Sequence, residues 1–332
     1  MTGPDLEGYA ALRSTAAVYR PARDVLSVSG PDSVSYLQGQ CSQDVAALQP
    51  GQSAESLLLS PQGKVETYLR LTLLAPDHFV IDTDQGFGAV VTARLERFRL
   101  RTKVTIEALE WICVAVRGPA SGEALIGKPE VVAAVEWPGF SGFDLLGPEP
   151  VGGLGEWVDD RVVRCGDGAW EAARIEAGVP VNGREVVEGS IAAELGLVDR
   201  TVSFTKGCFT GQELVARIDS RGSNVARRLC GVVVGSLPGG SPPTVGATAV
   251  TPDGAHEVGH LSSVAWSPGW EATVALATLH RRVTPPEDVV VRWDDGDGSH
   301  SVLAGSTPLP FVPAGAAAPA EEVLDHPPGR RG

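Results

Sequence analysis

The feature that most restricts the fold of this 332-residue chain is a change of texture at Gly222. Before it, helical and strand-like segments interleave. After it the chain offers short β-branched runs separated by turn residues: "RLCGVVVGS", "GATAVTPDG", "GHLSSVAW", "ATVALATL", "DVVVRW" and "SVLAGS". Several short strands at this spacing predict a small barrel or sandwich. From residue 313, "PAGAAAPAEEVLDHPPGRRG" is rich in Pro, Gly and Ala without periodicity, which predicts a disordered tail over 313–332. No internal repeat is visible.

The first part reads as mixed α+β. A strand "VLSVSG" from Val25 leads through a turn into a helix over "DSVSYLQGQ". A hairpin follows, "ESLLLS" and "KVETYLRLTLL" around "PQG", with Val65, Leu69, Leu71 and Leu73 on one face at period two. "HFVID" is a further strand, "GAVVTARLERF" an amphipathic helix, and "KVTIEAL" and "WICVAVRG" two more strands. Next come a short helix near "PASGEALIG", Gly- and Pro-rich connections to about Gly168, and a helix "AWEAARIEAG" ended by Gly178.

Charge and composition exclude several classes of function. Asp and Glu outnumber Lys and Arg by 41 to 27, a net charge of −14 that opposes general nucleic-acid binding. Local clusters, "RLERFRLRTK" and the set Arg217, Arg221, Arg227 and Arg228, are still able to serve a small anion. With 43% hydrophobic residues, no apolar run reaches the roughly 20 needed to cross a bilayer. The first residues lack the pattern of a secretory signal, so a cytoplasmic location is expected. Five scattered cysteines without a CxxC pair fit a reducing compartment, and Cys113 and Cys230, in apolar runs, read as core residues.

Two strings look catalytic and fail on context. "HEVGH" matches a zinc-protease motif that requires a helix. Four helical steps bring the two histidines about 6 Å apart, whereas four strand steps hold them roughly 13 Å apart, too far for ligands at about 2 Å from one zinc. Pro252, Asp253 and Gly254 precede the string and a strand continues it. "GEALIGKP" resembles a phosphate-binding loop but places Pro129 where magnesium needs a hydroxyl. No stably bound metal is expected.

"KGCFTGQE", Lys206 to Glu213, is different. Thr210 and Glu213 have the spacing of a capping box at the start of the helix "GQELVARIDS", with Glu213 and Arg217 spaced to pair at i,i+4. Cys208 then lies just before a helix N-terminus, two residues from Lys206, a setting that favours thiolate. The alternative is a small residue filling a turn.

The stretch "VSFTKGCFTGQELVARIDSRG" resembles the signature of the YgfZ family, folate-binding proteins similar to the glycine-cleavage T-protein and linked to iron–sulfur cluster assembly and tRNA modification. "VSGPDSVSYLQGQCSQDVAALQPGQ", "SPQGKVETYLRL", "RLERFRLRTKV" and "RIEAGVPVNGRE" resemble further family segments in the expected order.

The resemblance implies an α+β fold of two intertwined lobes over 15–222, a β-barrel over 223–312, and a central site for tetrahydrofolate. It places Glu176 on the pterin, Arg228 (or the adjacent Arg227) on the folate tail, and Arg174 and Gln212 beside the cofactor. Cys208, with Lys206, is the implied reactive group. Partners would be iron–sulfur assembly factors or client enzymes, with no membrane. T-proteins carry paired aspartates in the hairpin, one of which assists aminomethyl transfer, where this chain has Thr67 and Tyr68. Glu66 is a poor substitute, since a one-residue shift along a strand reverses the face. T-proteins in turn lack the cysteine found here at 208. The expected function is therefore tetrahydrofolate binding in support of iron–sulfur cluster assembly or repair. The alternatives are a folate-dependent aminomethyl or methyl transferase and a folate-sensing adaptor that needs no thiol.

Overall fold

Helix α1 (Leu6–Ser14) and strand β1 (Ala17–Tyr19) begin one lobe, but the chain leaves it at once for another. Strand β2 (Arg23–Ser29), helix α2 (Ser33–Gln40), strands β3 (Ser53–Leu59), β4 (Val65–Ala75) and β5 (His78–Asp84), helix α3 (Gly88–Phe98) and strand β6 (Thr105–Leu109) follow. They form an antiparallel sheet in the order β3-β4-β5-β2-β6. Strands β7 (Trp111–Arg117), β8 (Val131–Val135), β9 (Gly142–Pro148) and β10 (Val163–Arg164) then return to β1 in the order β10-β1-β7-β9-β8. Strand β1 pairs antiparallel with β7 and parallel with β10, so this lobe is built from two separate stretches of chain. The lobes are intertwined.

Helices α4 (Asp167–Glu176), α5 (Val198–Thr201) and α6 (Gln212–Asp219) lead to strands β11 (Arg227–Val234), β12 (Thr248–Val250), β13 (Glu257–Ser267), β14 (Ala272–His280), β15 (Asp288–Asp295) and β16 (Gly298–Thr307). These close into a barrel, β11-β14-β13-β12-β15-β16. This computed structural model describes residues 5–313 apart from 221, 223, 236, 238–240 and 297. Arg221 and the tail beyond Pro313 lie outside the described residues. No helix among those described is long and apolar enough to cross a membrane.

The period-two pattern on β4 has a physical consequence. Val65, Leu69, Leu71 and Leu73 are buried, and the last three join Ile81, Val91 and Leu95 in a core beneath α2 and α3. The other face starts half-buried at Glu66 and Tyr68 and becomes fully buried at Arg70 and Thr72, where the second sheet covers it. Two stretches depart from the sequence reading. "PASGEALIG" forms successive turns, Ser121 N–H to the Gly118 carbonyl and Glu123 N–H to the Ala120 carbonyl, rather than a helix, because proline and glycines interrupt it. The Gly- and Pro-rich connection holds β8 and β9, and Val131, Ala133 and Val135 are the buried residues of an alternating strand.

A ladder of alternating charges joins the two sheets. Arg23 of β2 donates from Nε to Asp82 of β5 (2.9 Å), and Asp82 also accepts from Arg70 of β4 (2.9 and 3.0 Å). Arg70 Nη1 reaches across to Asp144 of β9 (2.8 Å), whose other oxygen takes Arg117 Nη2 of β7 (2.6 Å). Buried charges are tolerated only when paired and hydrogen-bonded. Burial alone would raise the Asp144 carboxyl, but the Arg117 and Arg70 guanidinia outweigh it and hold it well below the usual carboxylate range. A depressed carboxyl contributes stability that is complete above its unfolded value, near 3.9, and is lost as pH falls through the folded one. Asp144→Asn should therefore cost about 3–5 kcal/mol at pH 7, as breaking a buried pair does. Urea denaturation should show a narrower gap from the wild type at pH 3.

Candidate functional site

Between the lobes lies a cavity of about 110 Å³. Arg23, Arg70, Arg117 and Asp144 of the ladder line it, with Trp137 and Trp170 as aromatic walls. The Arg117 guanidinium sits 4.9 and 5.3 Å from the centroids of those two rings, in cation–π range. Its Nε is buried without a hydrogen-bond partner. Glu55 of β3, Tyr68 of β4, Asp84 of β5 and Arg174 of α4 complete the polar lining.

Strand alternation separates Thr67 and Tyr68, the two residues that the resemblance sets against the acids of T-proteins. Tyr68 faces the cavity, whereas Thr67 is buried on the opposite face, bonded to Asn182 Oδ1 (3.3 Å). Burial, and then the Glu55 carboxylate, push the Tyr68 phenol well above its ordinary value, so it stays protonated. Asn182 was not singled out from the sequence although it lies within "VPVNGRE". Its amide accepts from the Tyr68 N–H (2.9 Å) and donates to the Tyr68 carbonyl (2.8 Å) and to Asp84 (2.9 Å), acting as a short substitute for a neighbouring strand. Glu66 is bound by Arg94 (2.7 Å).

The expected ligand residues lie in different surroundings. Glu176 is fully buried, and its carboxylate accepts from Tyr9 (2.8 and 3.0 Å) and Ser267, with Arg13 3.6 Å away. It ties α4 to α1 and the barrel and does not line the cavity. Arg174 does line the cavity, yet all five of its N–H donors have partners: Glu171 twice, the Val179 carbonyl, Glu185 and Ser263. It is a structural tie. Gln212, the first residue of α6, lines neither this cavity nor the cleft described next. Arg228, by contrast, is exposed and lines a second cleft of about 580 Å³ beside Leu195, Arg200 and Leu309.

The "KGCFTGQE" loop is rigidly anchored, though not as its spacing predicted. Helix α6 starts at Gln212 behind Gly211, whose φ of +82° replaces the expected Thr210 cap, and no side chain caps it. Gly211 must be glycine: a Cβ there would sit 2.6 Å from the Ser60 carbonyl oxygen and 3.0 Å from Gly63 Cα in the β3–β4 turn. Phe209 packs with Leu57, Leu59 and Val65. Lys206 turns away from Cys208, and its Nζ donates to the carbonyls of Gln38 (2.6 Å), Cys41 (2.7 Å) and Gln43 (2.8 Å) at the end of α2. Burial lowers the Lys206 ammonium from its ordinary value. Cys208 is the exposed one of the five cysteines, and the other four are buried. In "HEVGH", Glu257 opens β13 and His260 follows on it, paired with Glu257 (3.1 Å), so the helix such a motif needs is not formed.

Comparison with known proteins agrees with the resemblance drawn from these motifs. Residues 22–131 match the GCVT N-terminal domain. An aminomethyltransferase of Parafrankia sp. is 27% identical over 337 aligned positions, covering 93% of this chain and 89% of that protein. A tRNA-modifying protein YgfZ of Edwardsiella ictaluri is 31% identical over 219 positions, 60% of this chain and 65% of that protein. Among solved structures, the glycine cleavage system aminomethyltransferase T from Bartonella henselae superposes with a TM-score of 0.75 at 23% identity, covering 92% of this chain and 89% of that one, which establishes the fold.

Two variants separate anchoring from chemistry. Lys206→Met leaves three carbonyls without their charged donor and should lower stability by about 1.5–3 kcal/mol, while the alkylation rate of Cys208 changes little, because the ammonium does not face the thiol. Glu176→Ala should lower the melting temperature, because it removes the tie of α4 to Tyr9 of α1 and Ser267 of the barrel.

Proposed function

We propose that this homologue of YgfZ proteins and aminomethyltransferases, with the T-protein fold, binds a reduced folate between its lobes and presents Cys208 as a soft ligand or nucleophile in support of iron–sulfur cluster assembly or repair. The observation that carries the reading is the exposure of Cys208 on a loop fixed at both ends while every other thiol is buried. Burial pushes the Cys41 thiol up to about 12 and the Cys230 thiol up to about 11, which leaves both inert at neutral pH.

The cavity suits a pterin. Trp137 and Trp170 supply an aromatic wall, with Tyr19 stacked on Trp170, and the unpartnered Arg117 Nε would donate to an oxygen or nitrogen of the ring. Arg228 in the adjoining cleft fits the carboxylates of the tail. The folate would bring its one-carbon chemistry when bound, and this chain's residues would orient it and exclude water. A [2Fe–2S] cluster takes four cysteine ligands in the usual case, so one exposed thiol implies transient handling shared with a partner. The name of the Edwardsiella relative, a tRNA-modifying protein, points to tRNA modification as the process served.

Aminomethyl transfer is the second reading, favoured by the near full-length match to an aminomethyltransferase. Against it, Tyr68 holds the cavity-facing position as a protonated phenol, and Glu55, Asp84 and Asp144, the carboxylates lining the cavity, are all paired with arginines.

Cys208→Ser should retain the fold and folate affinity and fail to restore iron–sulfur enzyme activity in a deletion strain. Full restoration at normal abundance would remove the thiol from the function. Formation of methylenetetrahydrofolate from an aminomethylated lipoyl carrier, at rates comparable to a T-protein, would favour the transferase instead.

A further inference from the structure

The small cavity and the larger cleft share no lining residue, yet they meet at one wall. Trp137 lines the cavity and Pro138 the cleft; Val179 lines the cavity and Gly178 the cleft. The wall's third part is an ion pair. Glu55 lines the cavity, and Arg200 lines the cleft and grips Glu55 with two nitrogens, Nε at 2.7 Å and Nη2 at 2.5 Å. The Tyr68 hydroxyl lies 3.4 Å from the same Nη2.

Two short backbone steps and one side-chain pair thus separate the spaces, and of these the pair is the part able to move without disturbing the backbone. Its side chains are 33% and 27% exposed, so breaking it does not strand a charge in the core. A guanidinium held in a two-point fork by a carboxylate is also preorganised for the carboxylate of a ligand.

We propose that Arg200 is an anion-recognition group for a ligand that spans both spaces, and that Glu55 occupies it until a ligand carboxylate takes its place. This rests on the folate reading and deepens it: a bicyclic head in the cavity would send its acidic tail through the wall, meeting Arg200 before Arg228. Glu55 becomes an internal competitor for the tail carboxylate alone, since a ligand without one stays in the cavity and leaves the Arg200–Glu55 pair closed.

Calorimetry on the full chain tests this with two probes, 5-formyltetrahydrofolate, which carries the glutamate tail, and 6-methyltetrahydropterin, which does not. Glu55→Gln should tighten the tailed probe by up to about fivefold, the equivalent of a partly exposed ion pair. Arg200→Gln should weaken it by about tenfold or more, as loss of a charge-assisted contact does. Neither change should move the tailless pterin. Opposite signs in the two variants cannot arise from a shared loss of folding. Equal shifts for both probes, or binding by the wild type with no response to either substitution, would overturn the Arg200 assignment alone. Binding of neither probe by the wild type and Glu55→Gln would overturn the folate reading and this inference with it.

Discussion

The fold depends on the charge ladder Arg23–Asp82–Arg70–Asp144–Arg117. Two sheets that meet through strand faces normally do so through apolar side chains. Here an apolar cluster that includes Val25, Val80, Cys113 and Leu146 is joined at the junction by five charged groups from five strands, and each inner member of the ladder has an opposite charge on either side. Such an arrangement gains little over a hydrophobic core in stability but is unforgiving of rearrangement, since sliding either sheet by one residue would strand several charges. The ladder also makes the cavity. Arginine and aspartate side chains leave polar floor where leucines would fill space, and the Arg117 guanidinium holds Trp137 and Trp170 in place as walls.

The motif "KGCFTGQE" divides by role in the same physical terms. Lys206 neutralises carbonyls at the end of α2, Phe209 enters the core, and Gly211 lies against Gly63 so closely that neither tolerates a side chain. Gly207 and Cys208 are held out to solvent between the buried Lys206 and Phe209. The loop is stiff because its flanks are buried, and the thiol is accessible because they carry the packing.

Much of this was legible in the sequence. All six barrel strands follow from β-branched runs and turns, because a closed antiparallel barrel is built from local hairpin signals. Strands β8 and β9 were hidden by their flanking prolines and glycines, and α1 carries too weak an apolar stripe to stand out beside them. The expected ligand residues separate for a geometric reason. Arg174 and Glu176 are two apart on a helix, about 200° around its axis, so they cannot share one pocket. The resemblance gave both to the folate, whereas the helix gives Arg174 to the cavity wall and Glu176 to Tyr9, 167 residues away. Asn182, Glu55 and Arg200 escaped notice because their roles arise from pairings between distant segments that periodicity does not encode.

The distribution of ionisable groups bears on which chemistry the scaffold retains. A transferase needs a group in the cavity with a lone pair to offer a substrate proton. Asp84 gives its oxygens to Arg23 and Asn182, Asp144 to Arg70 and Arg117, and Glu55 to Arg200, while the phenol of Tyr68 is kept protonated by burial. Of these, Glu55 is the one whose partner is itself part of a movable wall. Ligand entry that draws Arg200 away would therefore change two things at once: it would join the cavity to the cleft and release one carboxylate beside Tyr68. Until then each lining carboxylate is held by an arginine, and the exposed thiol of Cys208 lies outside the cavity.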